Sequence, residues 1–315
     1  MDRTGGAGPP GPSQLSADRA GDSADGDRDG HGPRPADLLG RCRFPPPGSA
    51  VTCGVSGGPD SLALLVLAVE AGLDVTAVHV DHALRPGSAD EADVVAAAAT
   101  RFSARFRAVR APVAPGPNLE ARARAVRFAA LPPDVLTGHT ADDQAETVLL
   151  NLLRGAGLDG LAAMGPGRHP LLGLRRADTE ALCRACGLEP VRDPSNLDPA
   201  MRRNRIRHEV LPLLDDVAGR DVAAVLARQA DLLRDDAALL DELAAAMDPT
   251  DAKALAAAPA PLARRAVRAW LRGEHPPDAA SVERVLAVAR GEARAAEVVG
   301  GRRVERHANR LRLVG

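Results

Sequence analysis

The stretch that most constrains this chain is Cys53-Gly54-Val55-Ser56-Gly57-Gly58-Pro59-Asp60-Ser61. An apolar run, Ala50–Cys53, leads into it, and an apolar-periodic helix beginning at Ser61 leaves it, with Leu62, Leu65, Val66 and Val69 on one face and Gly72 as its stop. Strand, glycine-rich turn and helix make an anion-binding geometry. Glycine lets backbone N–H groups close on a phosphate, and the helix N-terminus adds partial positive charge. Ser56 and Ser61 can donate hydrogen bonds, and Asp60 can hold Mg²⁺. The expectation is a nucleotide site. A Walker loop is excluded, because it needs a lysine after its last glycine and the only lysine of the chain is Lys253.

The rest of the chain reads as an α/β protein with a mostly parallel, doubly wound sheet and a smaller helical C-terminal domain. Val75–Val80, Phe106–Val109 and Asp134–Thr137 are predicted strands, and Leu171–Leu174 a further one. Helices are expected over Ala89–Arg101, from Asn118 onward, after Thr140 and over Asp178–Cys186. Residues 1–45 are read as a tail and linker, disordered over 1–36 because Gly, Pro, Asp and Ser leave little apolar surface to bury. The catalytic domain is placed at 46–214 and the helical domain at 215–315, with one long helix marked by Leu226 to Leu243 and short strands in 295–314.

Composition narrows the function classes. No run approaches the apolar length of a transmembrane helix, and the N-terminus has acids and prolines where a signal peptide has an apolar stretch, so no membrane is expected. Four cysteines in 315 residues fit a reducing cytoplasm, and Cys183-x-x-Cys186 reads as structural. With a net charge of −2, any nucleic-acid contact must come from local arginine patches such as Arg202–Arg207 and Arg302–Arg310.

Chemistry-bearing residues cluster at predicted strand ends, where open α/β sheets bind ligands. Asp81, His82 and Arg85 follow the second strand. Glu120, Arg122, Arg124 and Arg127 share the helix after Asn118. His139, Asp142, Asp143 and Glu146 follow the fourth strand, more carboxylates than capping a helix requires, which points to metal binding or proton transfer. Arginines opening the helix at Arg202–Arg207 oppose its dipole, so an anionic ligand is the expected reason for them.

The 56–61 loop resembles that of the ATP pyrophosphatase superfamily. Together with Val80-Asp81-His82-x-Leu84-Arg85, Asn118–Arg124, His139-x-x-Asp142-Asp143-Gln144-x-Glu146-Thr147 and the Asp193–Leu214 run, it is similar to the bacterial tRNA(Ile)-lysidine synthases. Gly138 precedes a single histidine where many members carry two. The resemblance implies an adenine nucleotide alpha hydrolase-like fold. It also implies ATP-dependent adenylation of C2 of the wobble cytidine in the CAU anticodon of a minor isoleucine tRNA, followed by attack of free L-lysine. It places Ser56, Gly57, Gly58, Pro59, Asp60, Ser61, Asp81, His82 and Arg85 at the nucleotide, and Asp60 and Asp143 on Mg²⁺. Glu120, Asp142 and Glu146 would face the lysine ammonium. Arg122, Arg124, Arg203, Asn204, Arg205 and Arg207 would meet phosphate or tRNA, and His139 or a carboxylate would take the lysine proton. A short-form member is expected, and a homodimer stays open. The alternatives are a tRNA thiolase of the same superfamily and a non-catalytic ATP sensor.

Overall fold

The computed structural model describes residues 32–82, 88–113, 116, 119–191, 198–273, 277–298 and 300–314, without the side chains of 88, 89, 119–121, 123 and 124. The tail expected over 1–36 therefore lies almost wholly outside the described residues, as do Arg85 and Asn118.

Four parallel strands form the central sheet: β1 (Ala50–Gly54), β2 (Asp74–Asp81), β3 (Arg105–Arg110) and β4 (Leu136–Thr137). Their spatial order is β3-β2-β1-β4. Cys53 and Gly54 of β1 pair with Ala77 and Val78 of β2 on one side and with Leu136 and Thr137 of β4 on the other. The chain winds outward from β1 to β3, then returns to the other edge of β1. That reversal leaves a crevice beyond the carboxyl ends of β1 and β4, the switch point at which such sheets take ligands.

Helix α1 (Pro35–Leu39) and helix α2 (Pro59–Glu70) pack on each other beside this sheet. Helices α3 (Ser88–Arg101), α4 (Leu119–Ala129), α5 (Ala141–Leu153), α6 (Leu158–Leu161) and α7 (Arg176–Ala185) complete the first half. The sequence predicts one buried face for α2, yet Leu62, Leu64, Leu65 and Leu67 are all fully buried. The reason is a second layer: Leu38 of α1, Leu182 and Cys183 of α7, and Leu171 and Leu174 close over the side turned from the sheet.

The strand expected at Leu171–Leu174 is not formed; those residues run as turns. A Cβ on Gly173 would lie 2.2 Å from the Arg41 carbonyl oxygen, so the chain here is pressed against the segment after α1 rather than against a strand. Leu171 and Leu174 read as strand residues because they are core residues. Helix α7 begins at Arg176, two residues before the expected start, because the Asp178 carboxylate accepts the Arg175 N–H at 2.7 Å and caps it there.

Beyond it come α8 (Arg202–Arg205), a π-helical turn (Ile206–Val210) and α9 (Leu211–Ala218). Then follow α10 (Val222–Ala245), α11 (Ala252–Ala257), α12 (Ala260–Leu271) and α13 (Ala279–Arg290). An antiparallel sheet, β5 (Ala295–Val298), β6 (Arg302–His307) and β7 (Arg310–Val314), packs on α13. Residues from Ala244 to Leu311 form a hydrophobic cluster of their own, and α10 bridges by packing against both α5 and α12. Among the described residues no helix is long and apolar enough to cross a membrane.

Candidate active site

The 56–61 loop is held from three sides. Gly57 takes φ +89°, a left-handed conformation that disfavours a side chain, and its carbonyl accepts the Val191 N–H at 3.0 Å. Ser61 Oγ accepts the Ser56 N–H at 3.1 Å and donates to the Gly58 carbonyl at 2.8 Å. Beneath it, His79, buried in β2, holds the Val55 carbonyl through Nδ1 at 3.0 Å. Pro59 occupies the first turn of α2, where its missing N–H costs nothing.

The chain leaving β4 crosses this loop at close range. A Cβ on Gly138 would lie 2.3 Å from the Asp60 carbonyl oxygen. Glycine is therefore required there, and the contact sets the two strand ends side by side. The next residues are His139 and Thr140, a buried N-cap whose N–H and Oγ1 both donate to Asp143 Oδ2, at 2.9 and 3.1 Å.

Four carboxylates and four guanidinium groups then meet. Arg176 reaches Asp60 Oδ2 at 3.4 Å, Asp143 Oδ1 at 3.2 Å and Glu146 Oε1 at 3.6 Å. Glu146, with no exposed side-chain surface, accepts from Arg207 Nε at 2.6 Å and pairs with Arg203 Nε at 3.0 Å. Arg175 holds Asp142 through two parallel bonds of 3.0 and 2.7 Å, and the Arg176 N–H adds a third at 2.7 Å. The Thr179 hydroxyl donates to Asp60 Oδ1.

These contacts divide the acids. Burial pushes the Asp60 carboxyl up to about 6, and Asp143 adds to the rise, against the pull of Thr179 and Arg176. Burial works the same way on Asp143, yet Arg176, His139 and the Thr140 N–H overcome it and hold the group below the usual carboxylate range. Asp142 is likewise lowered, with Arg175 outweighing its burial. Asp60 and Asp143 thus meet on one cation of the chain itself, the Arg176 guanidinium. Two carboxylates are hard oxygen donors of the kind a divalent cation takes, but among the described residues no group of three or more His, Cys, Asp or Glu is placed to hold such an ion by itself.

A family model described as a PP-loop domain matches residues 39–214. The tRNA(Ile)-lysidine synthase of Nocardia farcinica is 50% identical over 240 residues, covering 70% of this chain and 75% of that protein. Its counterpart from Rhodococcus opacus is 42% identical over 278 residues, covering 81% and 85%. The chain belongs to the tRNA(Ile)-lysidine synthase family. A solved U34-tRNA thiolase from Methanococcus maripaludis matches at 18% identity, with a TM-score of 0.49 over 60% of this chain and 73% of that one.

The structure gathers many of the sequence-predicted residues: Ser56 to Ser61, His139, Asp142, Asp143, Glu146, Arg203 and Arg207 all border this network. Asp81 and His82 stand at the end of the neighbouring β2, where His82 Nδ1 meets the Ala111 carbonyl at 3.3 Å. Arg122 lies along Gly116, whose Cβ would be 3.1 Å from its Nη2. Arg205 is placed apart: its exposed guanidinium pairs with Glu209 at 2.8 Å. Buried Asn204 donates instead to the Asp198 carbonyl at 2.9 Å. The side chains of Glu120 and Arg124 lie outside the described residues. In the C-terminal arginine patch, Arg302 and Arg306 donate to the Leu271 and Ala289 carbonyls, while Arg310 pairs with Asp248.

Sequence reasoning missed Arg175, Arg176, Thr179, His79 and His169. It also sought an external anion for the arginines at 202–207, whereas Arg203 and Arg207 meet Glu146 within the chain. Burial pushes the Cys183 thiol up to about 12 and its Sγ donates to the Pro59 carbonyl at 3.4 Å, so it is a core thiol rather than a thiolate ligand.

Proposed function

We propose that this chain joins free L-lysine to C2 of the wobble cytidine of an isoleucine tRNA with a CAU anticodon, using ATP and releasing AMP and pyrophosphate. The observation that carries the reading is the 56–61 loop set against Asp143 and Arg176 at the switch point of the sheet, in a chain of this family.

The chemistry asks for three things. The cytidine O2 attacks the α-phosphorus, so the departing pyrophosphate needs positive surroundings. The loop N–H groups, the N-terminus of α2 and Arg176 supply them. Asp60 and Asp143 would hold Mg²⁺, which supplies charge neutralisation for the polyphosphate when bound. The lysine ε-amine must lose a proton before it can attack C2 and expel AMP, and His139 is the group we assign to that task. Asp142, Glu146 and Glu120 remain the acids for the lysine ammonium. For the first two, whose oxygens already meet guanidinium groups, this requires an exchange of partners.

We further propose a division near residue 214, with the helical part contacting tRNA, a reading supported by the separate hydrophobic cluster from Ala244 to Leu311. A cytoplasmic location completes the reading. The test is incorporation of radiolabelled lysine into an isoleucine tRNA transcript with a CAU anticodon, beside the methionine tRNA that shares that anticodon. Label in the first alone, with AMP and pyrophosphate released, is the expected result. Pyrophosphate release without label would remove lysine from the reading, and no reaction would remove catalysis.

A further inference from the structure

Behind His139 stands a second imidazole, from the loop before α7. The His139 and His169 rings meet edge to face, with centroids 4.7 Å apart. Their Nδ1 atoms are 3.1 Å apart, and Thr137 Oγ1 is 2.7 Å from each. Thr137 itself is fixed by its N–H, which donates to the Arg168 carbonyl at 2.9 Å. Two ring nitrogens and one hydroxyl thus form a triangle at the end of β4, with the Arg168 carbonyl 3.4 Å from the hydroxyl.

Proton counting in that triangle is restrictive. Two facing Nδ1–H groups would repel, and two bare Nδ1 lone pairs would leave the short N···N contact without a proton. When both rings are neutral the contact is satisfied by opposite tautomers, one with Nδ1–H and one with Nε2–H, and a protonated His139, the form that holds Asp143 low, likewise needs a bare Nδ1 on His169. A base that takes the lysine proton on Nε2 must start with its own proton on Nδ1. This assigns Nδ1–H to His139 and Nε2–H to His169, with the His139 Nδ1–H shared between His169 Nδ1 and Thr137 Oγ1, while the Thr137 hydroxyl can donate to the Arg168 carbonyl at 3.4 Å. When His139 gains the proton on Nε2, its Nδ1–H still points at the lone pair of His169. The arrangement repeats, with a neutral partner, the way a carboxylate orients the imidazole of a hydrolytic triad.

We propose that His169 is the positioning residue of the lysine-activating step, holding His139 in the Nδ1–H tautomer and stabilising its protonated form. The proposal rests on the reading of His139 as proton acceptor. His169 also lines a cavity of about 260 Å³ together with Arg41, Arg43, Pro170 and Asp231, so a small molecule can reach its place.

The test uses the full chain. A positioned base contributes about 10²–10⁴-fold, and loss of its orienting partner should remove part of that. His169→Ala should lower kcat for lysine ligation about 10- to 100-fold while KM for ATP stays within about twofold. Added imidazole, entering through the cavity, should restore part of the loss, and His169→Asn, which keeps a polar atom near the Nδ1 position, should lose less. In ¹⁵N-histidine long-range spectra of the wild-type protein, His139 should be the Nδ1–H tautomer and should become mixed in His169→Asn. A wild-type His139 in the Nε2–H form, or a His169→Ala kcat within about twofold of wild type beside an inactive His139→Ala, would overturn the proposal. Wild-type ligation by His139→Ala would instead remove the base reading itself.

Discussion

Replacing Glu146 by glutamine tests whether the charge network is a structural keystone. The side chain is fully buried, and its two oxygens meet Arg207 at 2.6 Å and Arg203 at 3.0 Å, with Arg176 at 3.6 Å. Glutamine keeps the shape and removes the charge, leaving two guanidinium groups on the helical turns α8 and Ile206–Val210 over a neutral amide. Breaking one partner out of a buried pair costs about 3–5 kcal/mol, because the remaining charge stays desolvated. A Coulomb estimate agrees: at an effective dielectric constant near 20, unit charges 4 Å apart interact by about 4 kcal/mol. For a domain of this size the loss corresponds to a fall in Tm of roughly 10 °C. The assay is urea denaturation of Glu146→Gln, Arg207→Met and the double variant. The double variant should recover about 1–3 kcal/mol of the summed losses, since the second change removes one of the two cations left over the amide. A loss below about 1 kcal/mol for Glu146→Gln, or strict additivity, would refute the view that these charges sustain one another.

Other outcomes follow from the same geometry. Asp60 has its pKa raised by burial from 3.8 to about 6, so the folded chain binds more protons than the unfolded one between those values and loses stability as pH rises through that window. Asp60→Asn should therefore stabilise the protein in EDTA by up to about 3 kcal/mol above pH 6 and by nothing near pH 4, while lysine ligation falls at least about 10²-fold; equal stability at pH 7.5 would contradict the burial argument. Gly138→Ala must move the Asp60 backbone or its own, costing about 1–3 kcal/mol and weakening ATP binding in calorimetry, and unchanged affinity would show that the loop tolerates displacement. Cys183→Ala with Cys186→Ala should leave ligation within about twofold, whereas loss of turnover with retained fold would revive a sulfur-transfer role.

The α/β winding was legible because its strands are short apolar runs and its helices keep a 3.6-residue period. What periodicity could not show was layering. Leu171 and Leu174 are as apolar as strand residues, but they cover α2 from outside, and only the approach of Gly173 to the Arg41 carbonyl distinguishes a packed turn from a strand. The loop and the carboxylates after β4 were legible because glycine, hydroxyl and acid at strand ends have few other uses. His169 was not, since 30 residues separate it from His139 and a lone histidine before Pro170 carries no pattern.

Arg175 and Arg176 are the instructive omission, because the signal was in the sequence. Cations at the N-terminus of a helix oppose its dipole, which is the argument that singled out the arginines at 202–207. It applies equally to α7, whose cap and first residue are Arg175 and Arg176. Placing that helix two residues late, at Asp178, hid both arginines in an assumed loop, where a charge needs no explanation. An error of half a turn thus concealed the cation that joins Asp60, Asp143 and Glu146. The 202–207 run has an answer inside the chain as well. Arg203 and Arg207 are four residues apart and fall on one face, so a single buried carboxylate on α5 serves both. The acid that answers a basic helix start can lie some sixty residues away in the chain, and a helix-by-helix reading cannot pair them.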